Sequence, residues 1–199
     1  MTPYGIAGDL LDRFEAQLRG ETAQGTGKKE YTRTVTLKFI REQLLYDIRN
    51  IAYVESDVLP ADEGHSRHQV ADIGEEGNVD RVTRIMDLAF AAVTELLYPY
   101  TKNVVGEKEE RTDEFKESEA YEIDLLVPDD FSKTTVDYLT RLIHEFVVYR
   151  VLADWMGIAN VANKESAANW EAKASALADE IDSTLHARMR RVRRTLSPF

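Results

Sequence analysis

Apolar residues recur at helical spacing along most of the chain, and where that period fails the sequence supplies turn residues or a period of two. The longest runs lie in the second half. Residues 132–156 place Val136, Leu139, Ile143, Phe146, Val147 and Trp155 on one line, and residues 164–192 do the same with Trp170, Ala174, Leu177, Ile181, Leu185, Met189 and Val192. With only a short loop containing Gly157 between them, the two segments predict an antiparallel helical pair that holds both tryptophans. Pro128 with Asp129 and Asp130 marks the start of the first helix, and Asn163 is the expected cap of the second.

The first half mixes periods. Tyr31, Arg33, Val35 and Leu37 alternate with Thr32, Thr34 and Thr36, a β-branched, period-two pattern that predicts a strand. It runs into a helix expected over 38–55, with Leu37, Ile40, Leu44, Ile48 and Ile51 as its buried stripe and Arg41, Glu42, Asp47 and Arg49 on its wet side. Residues 57–77, with Pro60, Gly64, Gly74, Gly77 and many acids, lose all periodicity and read as a long loop, functional or disordered. Asn78 is the expected cap of a helix over 79–98, carried by Val79, Val82, Met86, Ala89, Phe90, Val93 and Leu97 and stopped by Pro99. After a charged, solvated loop over 106–118, Tyr121, Ile123, Leu125 and Val127 predict a second strand. Two strands alone make a ribbon that is marginal in water unless it packs on helices or pairs with another chain, so self-association is expected.

Ahead of the first strand, Ile6, Leu10, Leu11, Phe14 and Leu18 form one face of a short amphipathic helix, followed by a glycine-rich linker from Gly20 to Lys29. This segment is either a frayed terminus or a tethered arm that docks on a neighbouring subunit. The expected organisation is an arm helix and linker over 1–30, a single helical core domain over 31–194 and a tail over 195–199. The fold class is mainly α: a bundle of four core helices with a two-stranded β ribbon and an N-terminal amphipathic arm helix.

Composition narrows the function. Hydrophobic residues make up 43% of 199, enough for a real core. The absence of cysteine excludes disulfides and thiolate metal sites and favours an intracellular origin. No apolar run approaches the roughly eighteen residues of a membrane span, nor does the N-terminus resemble a signal peptide. A net charge of -11 opposes simple nucleic-acid binding. The charge is polarised, however: residues 107–119 hold seven acids against three bases, whereas from Arg188 to Phe199 there are five arginines and no acid.

Candidate chemistry is sparse. His65 and His68, with Asp72, Glu75 and Glu76 beyond them, carry ligand types for a divalent metal, but Gly64 and the lack of an apolar stripe predict no helix to order them, so a solvated loop is expected. His144 reads as a boundary histidine satisfied by a neighbouring element, because Glu145 points about 100° away on a helix. His186 is judged alike. Glu75-Glu76 ahead of a helix invites comparison with magnesium-dependent nucleotide pyrophosphatases, yet Val79 stands where a third acid is needed, and 79–98 offers only Asp80, Asp87 and Glu95. Gly25-Thr26-Gly27-Lys28-Lys29 lacks the strand, spacing and hydroxyl residue of a phosphate loop. Arginines at 188, 190, 191, 193 and 194 exceed what a helix C-terminus needs and are either simply solvated or a contact arm for an acidic partner or a phosphate backbone.

The strings TLKFIREQLLYDIRNIAYVESD (36–57) and DIGEEGNVDRVTRIMDL (72–88), with Leu97-Tyr98-Pro99-Tyr100 and the end from Trp155 to Arg194, resemble a group of uncharacterised proteins encoded among the virion structural genes of tailed phages and prophages. The likeness spans about 31–194. It implies a non-enzymatic head-tail connector or adaptor, assembled as a ring beside the portal, with itself and portal or tail proteins as partners. Such a subunit needs no cofactor, binds no specific nucleic-acid sequence and no membrane, and resides in the virion or, during assembly, in the host cytoplasm. The expected assembly surface comprises Ile6, Leu10, Phe14 and Leu18 with Arg188, Arg190, Arg191, Arg193 and Arg194. The alternatives are an acidic helical regulatory or binding protein and an all-α metal-dependent nucleotide hydrolase.

Overall fold

A computed structural model of the chain describes residues 33–59, 64–102, 117–128, 131–159 and 164–189. They are mainly helical, with one two-stranded antiparallel sheet. In chain order the elements are β1 (Arg33–Ile40), α1 (Arg41–Val58), α2 (Gly64–Ala71), a 3-10 turn (Asp72–Gly74), α3 (Glu76–Leu96), α4 (Tyr98–Thr101), β2 (Ala120–Val127), α5 (Lys133–Ala159) and α6 (Lys164–Met189).

The long second-half helices fold as their periodicity predicts and pack on one another along their length. Yet α5 buries far more than one stripe. Leu142, Val148, Val151, Leu152 and Met156 are buried together with Leu139, Ile143, Phe146, Val147 and Trp155, because α1, α2, α3 and α6 all contact this helix. On α6, among the side chains of the expected line that are described, Ala174, Ile181 and Leu185 are buried, while Trp170 and Leu177 lie half-buried against the core.

β1 and β2 pair in one unbroken register, from Arg33 opposite Val127 to Ile40 opposite Ala120. Alternation puts Leu37, Phe39, Ile123, Leu125 and Val127 into the core and leaves Thr34, Thr36, Lys38, Glu122 and Asp124 outside. The strand persists to Ile40, which keeps an extended backbone and is 49% exposed. The expectation that Ile40 belongs to a buried helical stripe is therefore wrong. Period two governs through residue 40, and the helix begins at Arg41.

The stretch 57–77 is not a loop throughout. α2 and the 3-10 turn form within it, anchored by Val70 and Ile73, which are fully buried. The Trp155 indole N–H donates to the Val70 carbonyl at 3.0 Å, and Arg67 donates to the Ser56 carbonyl at 3.1 Å and to Asp57 at 2.8 Å, tying α2 to the end of α1. An eight-residue helix with no apolar stripe is held by such tertiary contacts and not by its own propensity, which is why the sequence hides it. The Arg49 side chain lies against Gly74, where a Cβ would come 2.6 Å from its Nε and push that exposed arginine aside. Asn78 does not cap α3, which starts at Glu76; its side-chain amide instead donates to the Asp72 carbonyl at 2.9 Å. Pro99 ends α3 and sits in the first turn of α4.

Two carboxylates on α1 bind the helical pair from the other side. Glu55 accepts hydrogen bonds from the Ser166 hydroxyl and, at 2.7 Å, from the Trp170 indole on α6, while Asp47 lies 2.8 Å from Nε2 of His144 on α5. His144 is thus satisfied by a neighbouring element, as expected. Asp47 and Arg41 are correspondingly not wet-side residues.

The buried tryptophan gives a graded test. Trp155→Ala is expected to cost about 3–5 kcal/mol, whereas Trp155→Phe, which keeps one aromatic ring but leaves the Val70 carbonyl without its donor, is expected to cost less, about 1–3 kcal/mol. Half-buried Trp170→Ala should cost less than Trp155→Ala. Urea unfolding midpoints provide the comparison, and equal midpoints for wild type and Trp155→Ala would contradict the burial of α5.

Candidate assembly surface

The ribbon is fixed to the helices by an aromatic wedge and a guanidinium. Phe90 of α3 stacks on Tyr121 of β2 with centroids 4.1 Å apart and planes 10° apart, and it meets Phe39 of β1 at 5.3 Å. The Tyr121 hydroxyl donates to Asp87 at 2.7 Å. Burial first, and then the bond to Asp87, push the Tyr121 phenol well above the ordinary tyrosine range.

Arg41 closes the strand-to-helix junction. Its backbone N–H donates to the Glu119 carbonyl at 3.1 Å, continuing the ladder by one pair, and its guanidinium donates to the Thr83 hydroxyl at 2.8 Å and to Glu117 at 3.0 Å. Its Nε is buried without a hydrogen-bond partner. A largely buried arginine that reaches α3 and the approach to β2 at once sets the direction in which the ribbon leaves the helices.

Outside this anchor the ribbon shows a polarised face. Lys38 pairs with Glu122 at 2.9 Å, and the Thr36 hydroxyl donates to Asp124 at 2.6 Å. The Glu122 bond, made on an exposed surface, holds the Lys38 ammonium above the usual lysine range. At the foot of the ribbon, Lys38, Ile40, Leu45, Tyr46, Arg49 and Glu119 line part of an open concavity of about 1210 Å³. Ile40 and Tyr46 expose apolar area there. Tyr53, Val54 and Val58 continue an exposed apolar and aromatic face along α1.

A second concavity, of about 560 Å³, lies between α3, α5 and α6. Ile85, Leu88, Ala153, Gly157, Ile158 and Ala167 give it an apolar floor, and the Arg150–Glu171 pair lies on its rim.

The residues singled out from sequence fare unevenly. His65 and His68 lie on α2, so a helix does present them three residues apart, contrary to the expected loop; both are exposed. Among the described residues no group of three or more His, Asp or Glu side chains is placed to hold a metal ion. Glu75 and Glu76 stand exposed at the start of α3. Arg188 lies in the last turn of α6. Ile6, Leu10, Phe14, Leu18, Arg190, Arg191, Arg193 and Arg194 lie outside the described residues, as do the linker and Asn163. Among the described helices none is long and apolar enough to cross a membrane. Sequence reasoning missed Arg41, Glu55 and the opposite charge of the two strands. The last was legible: β1 contains Arg33 and Lys38 with no acid, and β2 contains Glu122 and Asp124 with no base.

Tyr121 yields a pH prediction. Its folded pKa is raised, so above the ordinary tyrosine value of about 10 the unfolded chain loses a proton that the folded chain keeps, and stability falls as pH rises. Tyr121→Phe should remove part of that alkaline slope while leaving stability at neutral pH nearly unchanged. Unfolding midpoints between pH 8 and the alkaline limit check it, and an unaltered slope would contradict the assigned environment. Set beside known proteins, the chain matches no family model, no curated protein and no solved structure.

Proposed function

We propose that this chain is a non-enzymatic structural subunit of a tailed-phage or prophage virion, a head-tail connector or adaptor that assembles as a ring next to the portal. The observation that carries the assembly reading is the ribbon: two eight-residue strands pair only with each other among the described residues, above a foot with exposed Ile40 and Tyr46. The helices stabilise the ribbon's inner face, so what is left to other chains is strand edge, which can template pairing. The virion setting rests on the sequence resemblance. In this reading α1, α3, α5 and α6 form a four-helix core bundle, the amphipathic segment over 6–18 is an arm that grips a neighbour, and the arginines at 188, 190, 191, 193 and 194 contact an acidic partner. The net charge of -11 suits a subunit past which DNA travels without sticking.

A second reading, a monomeric acidic binding protein, draws on the apolar-floored groove between α3, α5 and α6. Mass separates the two. Sedimentation velocity across a wide concentration range, with electron microscopy of the largest species, should show closed rings. A monomer at every concentration that also ignores co-expressed portal protein would favour the binding reading.

Deleting residues 1–28 should leave the melting temperature of the monomer nearly unchanged and weaken assembly. Replacing Arg190, Arg191 and Arg193 with glutamate should weaken docking on an acidic partner, most at low salt, where charge is least screened. Melting curves and association constants at two salt concentrations read both effects. Unchanged assembly in both variants would remove the arm and tail from the interface.

A further inference from the structure

We infer that the ribbon is a repeating unit of a sheet continued between copies, the outer edge of β1 in one subunit pairing with the outer edge of β2 in the next; this rests on the self-assembly reading above and names its interface. The ladder register decides which backbone groups face outward. Arg41 donates its backbone N–H to the Glu119 carbonyl directly opposite, so the hydrogen-bonded pairs of this ladder are those of the odd-numbered β1 residues. The backbone N–H and C=O groups of Thr34, Thr36, Lys38 and Ile40 therefore point away from β2, and those of Ala120, Glu122, Asp124 and Leu126 point away from β1. Among the described residues neither strand has a second strand beside it. All four of these β1 residues are exposed, as are Glu122, Asp124 and Leu126.

Natural edges are blunted by proline, a bulge, charged side chains or a covering element, and here Lys38, Glu122 and Asp124 supply charge and α4 packs against β2. β1 and β2 contain no proline and pair without a bulge.

Charge selects the occupant. A two-fold contact of β1 with β1 would join two strands that both carry only positive charge, and β2 with β2 two that both carry only negative charge. A contact of β1 with the β2 of another copy, in the register already used within the chain, sets Lys38 beside Glu122, Thr36 beside Asp124 and Ile40 beside Ala120 a second time. Each Lys38 then lies between two Glu122 carboxylates, and each Glu122 between two ammonium groups. Such a contact is heterologous, so it propagates and closes as a ring when the rotation per subunit allows.

The test uses proline as a one-sided block. Thr36→Pro removes an N–H that the ladder within the chain does not use, and Asp124→Pro does the same on β2. Each full-length variant should keep the wild-type circular dichroism yet sediment as a monomer, its self-association weakened about tenfold or more. Mixed together, the two should form a one-to-one dimer and stop, because each retains the edge that the other has lost. If Thr36→Pro lowers the melting temperature, Thr34→Pro makes the same block one pair farther out. Variants that assemble like the wild type would overturn the edge contact while leaving self-assembly standing; failure of the mixture to dimerise would overturn the β1-to-β2 polarity. A wild-type chain that stays monomeric at millimolar concentration would overturn this contact, and one that also ignores co-expressed portal protein would overturn the assembly reading with it.

Discussion

Burial of α5 on several sides is the constraint on which the rest of the fold depends. A helix with Leu142, Ile143, Phe146, Val147, Val151, Leu152 and Met156 all out of water leaves only a few positions along its middle to solvent, Arg141, Glu145 and Arg150 among them. It must be covered by α6 from one side, by α1 and α3 from others, and by the short α2 where Trp155 approaches the Val70 carbonyl. α2 exists because α5 needs it. At about 25 cal/mol per Å² of apolar area removed from water, covering these side chains outweighs any polar contact in the molecule.

The polar contacts decide which arrangement of those helices is adopted. Glu55 serves both Ser166 and Trp170, and Asp47 meets His144, so α1 can sit on the α5–α6 pair in one register without stranding a carboxylate or an indole N–H. Lys173 stands over the Trp170 ring at 3.9 Å, covering the outer face of the same side chain. Arg41 does the equivalent work for the ribbon. Its cost, a buried Nε without a hydrogen-bond partner, is offset by bonds to Thr83 and Glu117 that fix where β1 ends and α1 begins.

Anchoring through Phe90 and Arg41 leaves the ribbon with one face in the core and, among the described residues, no further strand on either edge. The same cross-strand pair, Lys38 with Glu122, that aligns the strands within a chain also makes the two edges opposite in sign. A ribbon built this way is complete as a local structure but unfinished as a sheet. That is the physical link between the fold and the assembly role proposed for it.

By itself the sequence determined the periods: helix through 79–96, 133–156 and 164–189, alternation in both strands, the core positions Leu44, Ile48, Met86, Val93, Ile143 and Ile181, and a His144 that finds its partner on another element. These follow from local repeats of 3.6 and 2 residues, which need no knowledge of neighbours. Tertiary structure alone decided what the periods leave open. α2 has no stripe and depends on Val70, Ile73 and Arg67 meeting partners elsewhere; Ile40 belongs to a strand because Ala120 stands opposite; and Arg41, polar and next to an acid in sequence, is drawn inward because Thr83 and Glu117 converge on it. The candidate surface divides in the same way: the charge of each strand is written in the chain, but which backbone groups face outward is set by the ladder register, a relation between residues eighty or more positions apart.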